Sequence, residues 1–525
     1  MKQISLKEIC YYLFFGLLFA AKGIGLYDGQ SVFKIILVAA LFFWVGKMLL
    51  TSYSIKEILA MGVLLMLGVL SYYYSSDKSA LIAAMVITGM KDIPIKRLFK
   101  IGLVIWTIAF VGTVTASLLG LKGTAQFVHN KGILGFVIRD ALGLTHPNVL
   151  HISYIVLIAL WFLVFDFKGK NLLKAVAVSL AGSVFIFLYS LSYTGFMFMI
   201  AYLILVVYLN LRPLRTKAEN IIIQCLMPAC VAFSILGPIT LKGKLFDLVN
   251  KAVNTRFELS RHYLTTLRPE LFGTRVSVEG NYTIDCSYVH CLYYYGVILF
   301  VLMIIGFFLV IRHLLLQKRN QELAMVLGLI AAGFTEPFLF NFSFKNLIFP
   351  LLGELLFIYL ATECRASLLN KEIRICRKEL VYEIKEIPVL HELPGKLSEV
   401  LKKSKKQILA GALSGLLLGV LLGNMVSVEP YVVVNKNTSD RVGKKGDYQI
   451  YGELSEEIKD NSLQVNVHGD DTKVFVLSGS ITEYQEFRQK VTVCIYSLGV
   501  VLIAEAAVLF ALQNRKKDDK DINAG

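Results

Sequence analysis

Several polar residues beside apolar runs are of types that suit acid–base chemistry. His146 stands just before Pro147, where a histidine could act as a general base near neutral pH or could hydrogen-bond a helix terminus. Asp285 lies just before another apolar run, where a carboxylate could take a proton from a hydroxyl group or orient an arginine. Glu336 marks the end of a further run. Ionisable groups at membrane depth are energetically costly, so Asp285 and Glu336 could have a functional role or could pair with groups on neighbouring helices.

A second feature is a group of arginines between residues 240 and 290. The stretch contains Arg256, Arg261, Arg268 and Arg275, with Lys242, Lys244 and Lys251 nearby. Arginine presents a planar fork of donors that binds phosphate oxygens in pairs and stays charged at physiological pH. The group therefore suits a diphosphate near the membrane surface, although the same arginines could pair with neighbouring carboxylates or with lipid head groups.

Sequence motifs for several other chemistries do not occur in the chain. Gly-x-x-x-x-Gly-Lys-Ser/Thr, Gly-x-Gly-x-x-Gly and His-Glu-x-x-His are absent from the sequence, so nucleotide hydrolysis, dinucleotide binding and zinc proteolysis have no support. The 8 cysteines form no Cys-x-x-Cys and have no histidine at zinc-ligand spacing. We therefore expect no metal site and no cofactor, and a substrate that is already activated.

The elements that must position these groups are dominated by apolar residues. Of 525 residues, 56% are hydrophobic, and the mean hydropathy is +0.63. This composition excludes a soluble globular enzyme. The formal net charge of +16 comes from Lys and Arg in short gaps between apolar runs. Because the charge is not concentrated on one soluble face, it indicates membrane topology and no nucleic-acid partner.

Apolar runs that suit a crossing of about 30 Å of hydrocarbon recur along the chain. They cover residues 9–27, 32–50, 58–74, 79–91, 101–121, 148–165, 172–190, 195–211, 221–239, 291–311, 321–340, 347–363, 408–426 and 491–512, fourteen in all. We predict an all-α polytopic membrane protein with about 12 transmembrane helices, followed by a C-terminal two-helix hairpin with a small external β-containing domain. Lys and Arg are concentrated in alternate short loops, which places both termini in the cytoplasm.

These spans divide the chain into four predicted regions. They are a polytopic membrane domain at 1–363 with external loops at 122–147 and 240–290, a basic cytoplasmic linker at 364–407, a two-span module at 408–512 around an external domain at 427–490, and a cytoplasmic tail at 513–525. Alternating apolar residues at 463–467 and 474–477 predict a β-hairpin within the external domain.

Two series of short motifs match a known family. The first is an Arg, a Leu-Gly and a His-Pro-Asn, matched by Arg139, Leu142, Gly143, His146, Pro147 and Asn148. The second runs Ser-Arg, Leu-Phe-Gly, Ile-Asp-Asn-Ser-Tyr and Tyr-Gly, matched by Ser260, Arg261, Leu271, Phe272, Gly273, Ile284, Asp285, Ser287, Tyr288, Tyr295 and Gly296, with Cys286 in place of the usual Asn. In these motifs residues 1–363 resemble the Wzy-type repeat-unit polymerases of bacterial surface polysaccharides, in the O-antigen polymerase and ligase superfamily, of the Gram-positive capsule and exopolysaccharide type.

The resemblance implies an integral-membrane glycosyltransferase of the bacterial cytoplasmic membrane. Its substrates would be an undecaprenyl-diphosphate-linked glycan donor and a lipid-linked repeat unit as acceptor, joined on the outer face. Membrane lipids, a flippase and a chain-length regulator would be further partners. Under this hypothesis Arg261, with Arg139 and Arg256, binds the diphosphate, and His146 or Asp285 orients or deprotonates the acceptor hydroxyl. The further substrate-binding candidates are Asn148, Arg268, Arg275, Tyr288 and Glu336.

Three other functions remain open on the sequence. A lipid-linked oligosaccharide flippase would also have about twelve spans, but it needs a central cavity, whereas the unusual charges here gather in outer loops. Transfer of finished glycan to another acceptor, as by an O-antigen ligase, would use the same donor. A non-catalytic sensor would use residues 427–490 as its input domain. Residues 408–512 are faintly similar to polysaccharide chain-length regulators.

Overall fold

The structure is a computed structural model, and it describes most of the chain. The described residues are 2–27, 29–130, 136–212, 214–253, 255–276, 284–337, 339, 346–362, 367–376, 380–384, 404–426, 432–435, 448–451, 465–466, 473–476 and 480–522. Most of the predicted basic linker at 364–407 therefore lies outside them.

Helices make up nearly all of the regular structure, and the chain is an all-α polytopic membrane protein, as predicted. The helices are α1 (Leu6–Gly23), α2 (Ser31–Leu50), α3 (Ile55–Ser75), α4 (Ser79–Thr88), α5 (Ile95–Leu118), α6 (Pro147–Phe165), α7 (Gly169–Ser190), α8 (Tyr193–Leu211), α9 (Lys217–Thr240), α10 (Gly243–Ala252), α11 (Arg256–Thr266), α12 (Ser287–His290), α13 (Gly296–Leu316), α14 (Asn320–Ala332), α15 (Ile348–Leu360), α16 (Lys405–Gly423) and α17 (Ser480–Ile522). A π-helical turn, Cys291–Tyr295, joins α12 to α13, and a 3-10 turn spans Ser367–Asn370.

Ten helices in the described part of the chain are long and apolar enough to cross a membrane, with Ser287–Leu316 counted as one. Three shorter apolar helices, α4, α14 and α15, have 10, 13 and 13 residues. Each predicted apolar run overlaps a helix, which confirms the all-α class. The predicted number of crossings, fourteen, is larger than the ten helices that meet this length and composition. The difference comes from the three short helices and from α1, whose 18 residues include Lys7, Glu8 and Lys22.

Short antiparallel strands lie between the helices. They are β1 (Lys2–Ser5), β2 (Tyr53–Ser54), β3 (Gln126–Asn130), β4 (Phe136–Asp140), β5 (Glu372–Ile373), β6 (Val381–Ile384), β7 (Val432–Asn435), β8 (Tyr448–Tyr451), β9 (Val465–Asn466) and β10 (Lys473–Val476). Strands β3 and β4 form a hairpin, and β7 to β10 form a sheet in the order β8-β7-β10-β9. Because Val474 of β10 pairs with Val465 of β9, the predicted hairpin is confirmed, and β7 and β8 extend it. Residues 467–472 lie outside the described chain.

The chain divides into two compact units. The first contains residues 1–3, 126–140 and 383–525, and the second contains residues 4–125 and 141–382. In the first unit, glycines of α16 allow close packing on α17, since a Cβ at Gly419 would lie 2.5 Å from the Cα of Cys494. Arg488 of α17 pairs with Asp140 of β4 at 3.9 Å and donates to the carbonyl oxygen of Ile138 at 3.3 Å. These contacts attach the β3–β4 hairpin to α17.

The second unit has a continuous core of aromatic and aliphatic side chains. The indole of Trp106 on α5 is fully buried and donates to the carbonyl oxygen of Ser153 on α6 at 2.9 Å. The phenol of Tyr154 on α6 donates to the carbonyl oxygen of Ser179 on α7 at 2.9 Å. Because buried polar groups need such partners, these bonds fix α6 between α5 and α7. The start of α6 is thereby held in place.

Candidate functional site

Six polar side chains of the second unit lie at the starts or ends of helices that meet at one end of the helical array. We call this group the helix-mouth cluster. Its members are His146, Asn148, Thr194, Arg256, Asp285 and Glu336, which come from the starts of α6, α8 and α11, the segment before α12 and the segment after α14.

His146 is the N-cap residue of α6. Its backbone is extended (φ −157°, ψ 148°), Pro147 occupies the first helical position, and its Nδ1 accepts a hydrogen bond from the Asn148 backbone N–H at 3.1 Å. The expected helix start at Pro147 is confirmed. A neutral imidazole whose Nδ1 accepts a bond carries its proton on Nε2. His146 is thereby occupied as the cap of α6, while its predicted role in orienting or deprotonating an acceptor hydroxyl stays a prediction.

The carboxylate of Glu336 is held by two neutral donors. Its Oε1 accepts from Asn148 Nδ2 at 3.1 Å and from Thr194 Oγ1 at 3.4 Å. The Glu336 side chain is buried, with the residue 8% exposed. Asn148 lies in the first turn of α6 and Thr194 in the first turn of α8, so the carboxylate stands at two helix N-termini. The positive ends of the two helix dipoles favour its negative charge there.

Arg256 and Asp285 form an ion pair beside this carboxylate. Nη2 of Arg256 lies 3.3 Å from Oδ2 of Asp285, and Nε of Arg256 donates to the carbonyl oxygen of Thr335 at 3.4 Å. The hydroxyl of Ser287 donates to the backbone carbonyl of Glu336. The arginine is thus fixed between Asp285 and the residue preceding Glu336. This position fits the predicted role of Asp285 as a group that orients an arginine.

The cluster combines helix N-termini with one guanidinium and two carboxylates. Helices α6, α8 and α11 begin in it, and Ser287 starts the long apolar segment that follows Asp285. Helix N-termini carry partial positive charge and unsatisfied N–H donors. Together with the guanidinium of Arg256, these termini offset the negative charges of Asp285 and Glu336. The carboxylate of Glu336 adds a proton acceptor at the same place.

Arg261 does not join the helix-mouth cluster. Its guanidinium donates to the carbonyl oxygens of Pro238 and Leu241 at the end of α9. The guanidinium carbon also lies 3.6 Å from the ring centroid of Phe246, in a cation–π contact. These contacts bind Arg261 to the C-terminus of α9, where a positive charge interacts favourably with the dipole and the last carbonyls. Its predicted role as the main diphosphate ligand stays a prediction, and the contacts observed here are those of a residue that stabilises the end of α9.

Arg139 belongs to the first compact unit, on strand β4. It pairs across the hairpin with Phe127 and is buried. The neighbouring Asp140 forms the ion pair with Arg488 described above. The position of Arg139 is therefore given only within the β3–β4 hairpin, and its predicted part in diphosphate binding stays a prediction.

Three further predicted ligands have different surroundings. Arg268 and Arg275 are exposed in the segment after α11. Tyr288 is fully buried, and its hydroxyl donates to the carbonyl oxygen of Ile330 at 2.7 Å. Its ring and hydroxyl therefore pack in the core, and the predicted contact of Tyr288 with substrate stays a prediction. Cys286 is buried as well, and burial raises the pKa of its thiol, so it stays neutral and packs beside Arg256.

Three polar groups were not predicted from the sequence. They are the hydroxyl of Thr194, the hydroxyl contact of Ser287 and the imidazole of His151. His151 is fully buried in α6, with Nε2 2.9 Å from Ser183 Oγ and Nδ1 3.3 Å from Ser190 Oγ. The signal for Thr194 was the cap at the start of α8, since Ser192 accepts from the backbone N–H of Gly195. Ser192 is therefore the N-cap residue of α8, and Thr194 lies in the first turn of that helix.

The space beside Arg256 is small. A cavity of about 10 Å³, enough for about one water molecule, is lined by Ser234, Ser260, Cys286 and Arg256 among others. Among the described residues, no group of three or more His, Cys, Asp or Glu side chains could hold a metal ion.

Comparison with known proteins gives no relative from which a function could be transferred. No family model, no curated protein and no solved structure matches the chain. The function of the chain is therefore inferred from the helix-mouth cluster and from the sequence motifs.

Proposed function

We propose that the chain is an integral-membrane glycosyltransferase that polymerises lipid-diphosphate-linked oligosaccharide repeat units at the outer face of the cytoplasmic membrane. The observation that carries the proposal is the contact of Arg256 with both Asp285 and the backbone beside Glu336. An anion-binding group and a carboxylate then meet at one end of the membrane helices. The sequence motifs around His146 and Asp285 support the same reaction.

The proposed reaction needs an electrophile, a leaving group and a base. The acceptor hydroxyl oxygen attacks the anomeric carbon of the donor sugar, and a new C–O glycosidic bond forms. The bond from that carbon to the diphosphate oxygen breaks, and the lipid diphosphate leaves with the bonding electrons. Glu336 takes the hydroxyl proton, and Arg256 with the helix N-termini stabilises the negative charge that develops on the leaving diphosphate.

This scheme assigns a role to each neighbour. Asp285 orients Arg256, and Asn148 with Thr194 orients the carboxylate of Glu336. His146 caps α6, the helix that carries Asn148. Because the diphosphate is a built-in leaving group, the reaction requires no nucleotide, which agrees with the missing nucleotide motifs.

The test is polymerisation by the purified full-length chain in lipid vesicles. The substrate is a labelled oligosaccharide on a lipid diphosphate, and the product is separated by length. We expect a ladder of longer glycans with the wild-type protein, and a loss of about 10²–10³ in rate with Arg256→Gln, the cost typical of removing one preorganised donor.

The matched control is Arg312→Gln. Arg312 is an exposed arginine on α13, near the end remote from the helix-mouth cluster. Its loss should leave the ladder unchanged. Labelled lipid that changes sides of the vesicle without any ladder would overturn the proposal in favour of a flippase.

A further inference from the structure

A groove lies between α1 and α5 on the surface of the second unit. Its volume is about 570 Å³, and its lining includes Ile24, Ile105, Ala109, Gly112, Ala116 and Lys122. Apolar side chains on this surface are open to the surroundings, with Ile108 71% exposed. Since α5 is one of the helices able to cross a membrane, the groove faces lipid.

The groove has the length of one membrane leaflet. At about 1.5 Å per residue, the stretch of α5 from Ile105 to Ala116 rises about 16 Å. The hydrocarbon core of a bilayer is about 30 Å thick, so half of it is about 15 Å. The groove therefore extends from mid-membrane to the end of α5, which is the path of one lipid chain in a leaflet.

Lys122 lies at the end of the groove that is nearest to the membrane surface. It follows α5 in the chain, and its Nζ donates to the carbonyl oxygen of Ile24 at 2.6 Å. This bond holds the amine over the groove mouth. Burial lowers the pKa of the Lys122 amine, and an anion beside it would favour the charged form again.

A second cavity continues from the same lysine. Its volume is about 550 Å³, it shares Ile24 and Lys122 with the groove, and it is also lined by Tyr27, Gln30 and Thr145. Its lining is more polar than that of the groove. Thr145 directly precedes His146 of the helix-mouth cluster.

Close packing joins Lys122 to the segment that leads into the cluster. Gly143 has φ +79°, which favours glycine, and a Cβ there would lie 3.1 Å from Cδ of Lys122 and 3.1 Å from Cγ2 of Thr113. The Gly143 N–H donates to the hydroxyl of Thr124 at 3.1 Å. Glycine at 143 therefore lets this segment lie against the lysine and α5.

We propose that the groove and its polar continuation bind a polyprenyl phosphate from the membrane, with the polyprenyl chain along α5 and the phosphate at Lys122. A positive charge at the end of a leaflet-long apolar groove complements such a lipid, and the adjoining polar cavity gives room for a sugar attached to the phosphate. The choice of a polyprenyl phosphate carrier rests on the proposed function. The structure thus assigns a lateral site through which the lipid-linked substrate reaches the segment before His146.

The experiment is photo-crosslinking of the purified full-length protein in vesicles with a photoreactive polyprenyl phosphate, followed by peptide mapping. We expect label on the segments that line the groove, in α1 and α5. Unlabelled polyprenyl phosphate should compete for it. Polyprenol, which lacks the phosphate, should compete about tenfold less well than polyprenyl phosphate. In the Lys122→Gln protein, polyprenyl phosphate should also compete about tenfold less well, because a bond to a charged group is lost.

Two glycine variants separate the groove from a general effect on the membrane helices. A Cβ at Gly112 or at Gly62 of α3 would meet no atom within 4 Å, so both positions accept a larger side chain without a clash. Gly112→Trp fills the groove and should reduce labelling about tenfold or more, whereas Gly62→Trp should leave it unchanged.

The outcomes separate this site from the proposed reaction. Groove labelling without glycan ladders supports the lipid site and overturns the glycosyltransferase proposal. The lipid site is overturned if ladders form without groove labelling. It is also overturned if polyprenol or phosphatidylglycerol competes as well as polyprenyl phosphate, or if Gly112→Trp and Gly62→Trp have equal effects on labelling.

Discussion

Replacing Glu336 by glutamine should abolish most of the activity while the fold is retained. The hydrogen bonds that this side chain accepts from Asn148 Nδ2 and Thr194 Oγ1 end on the same oxygen, Oε1. A glutamine can present its amide oxygen at that position and keep both bonds. The substitution therefore removes the negative charge and the proton acceptor with little change in shape.

The two effects of this substitution differ in size. A hydrogen bond to a charged acceptor contributes about 1.5–3 kcal/mol and a neutral one about 1 kcal/mol. With two bonds weakened, the free energy of unfolding should fall by about 1–4 kcal/mol. Loss of a general base typically costs about 10²–10⁴ in rate. The rate should therefore fall by at least about a hundredfold, even among molecules that remain folded.

The assay is the initial rate of glycan lengthening per folded molecule in vesicles, with thermal unfolding of the same preparation measured in parallel. Asn148→Ala is the matched comparison, because it removes one of the two bonds and leaves the carboxylate. We expect it to lower the rate by about tenfold, the effect of losing one bond to a charged group. If Glu336→Gln retains half or more of the wild-type rate, the base assignment is refuted.

Three further predictions concern neighbouring contacts. Asp285→Asn should leave the fold intact and lower the rate by about tenfold, because Arg256 loses the charge that orients it; an unchanged rate in the vesicle assay would show that Arg256 is oriented by the Thr335 carbonyl alone. Arg261→Ala should lower the thermal midpoint, since the carbonyls of Pro238 and Leu241 lose their donor, while the rate per folded molecule stays within about threefold; a loss as large as that of Arg256→Gln would show that Arg261 binds the diphosphate, as the sequence predicts. Arg488→Ala should destabilise the first unit by about 3–5 kcal/mol because it leaves Asp140 buried without this partner. Limited proteolysis of the β3–β4 hairpin measures that effect. The double variant Arg488→Ala/Asp140→Ala should be less sensitive to the protease than Arg488→Ala. Equal sensitivity of the two variants would contradict the contribution of the ion pair.

The sequence was sufficient to predict α6, α8 and the apolar segment after Asp285, but not α11, which carries Arg256. Long apolar runs bounded by charge have no stable position other than a membrane helix, and each predicted run overlaps a helix. The start of α6 was also predictable, because a proline after a hydrogen-bonding residue favours the first helical turn. In the 240–290 stretch, however, α10 and α11 have only 10 and 11 residues and form no long apolar run. Those short helices are stabilised by tertiary packing, with Phe246 and Phe257 rings 6.4 Å apart.

The pairing of the polar residues could not be read from the sequence. Asn148 and Glu336 are 188 positions apart, and nothing local to either residue indicates the other. Arg261 was predicted as a ligand by residue type, but its partners are backbone carbonyls, which every residue has. Tyr288 matched a motif position, yet its hydroxyl bonds to a carbonyl in the core. Residue types indicated the chemistry available, whereas the helix positions decided which groups meet.

The most direct measurement of the central claim is the ratio of lipid diphosphate released to glycosidic bonds formed by the purified chain. The substrate carries separate labels on the sugar and on the lipid, so both products are counted in one reaction. The proposed transfer predicts one released carrier for each new bond, with both products lost together in Arg256→Gln. Bond formation without carrier release, or movement of the intact lipid across the vesicle membrane with neither product, would contradict it.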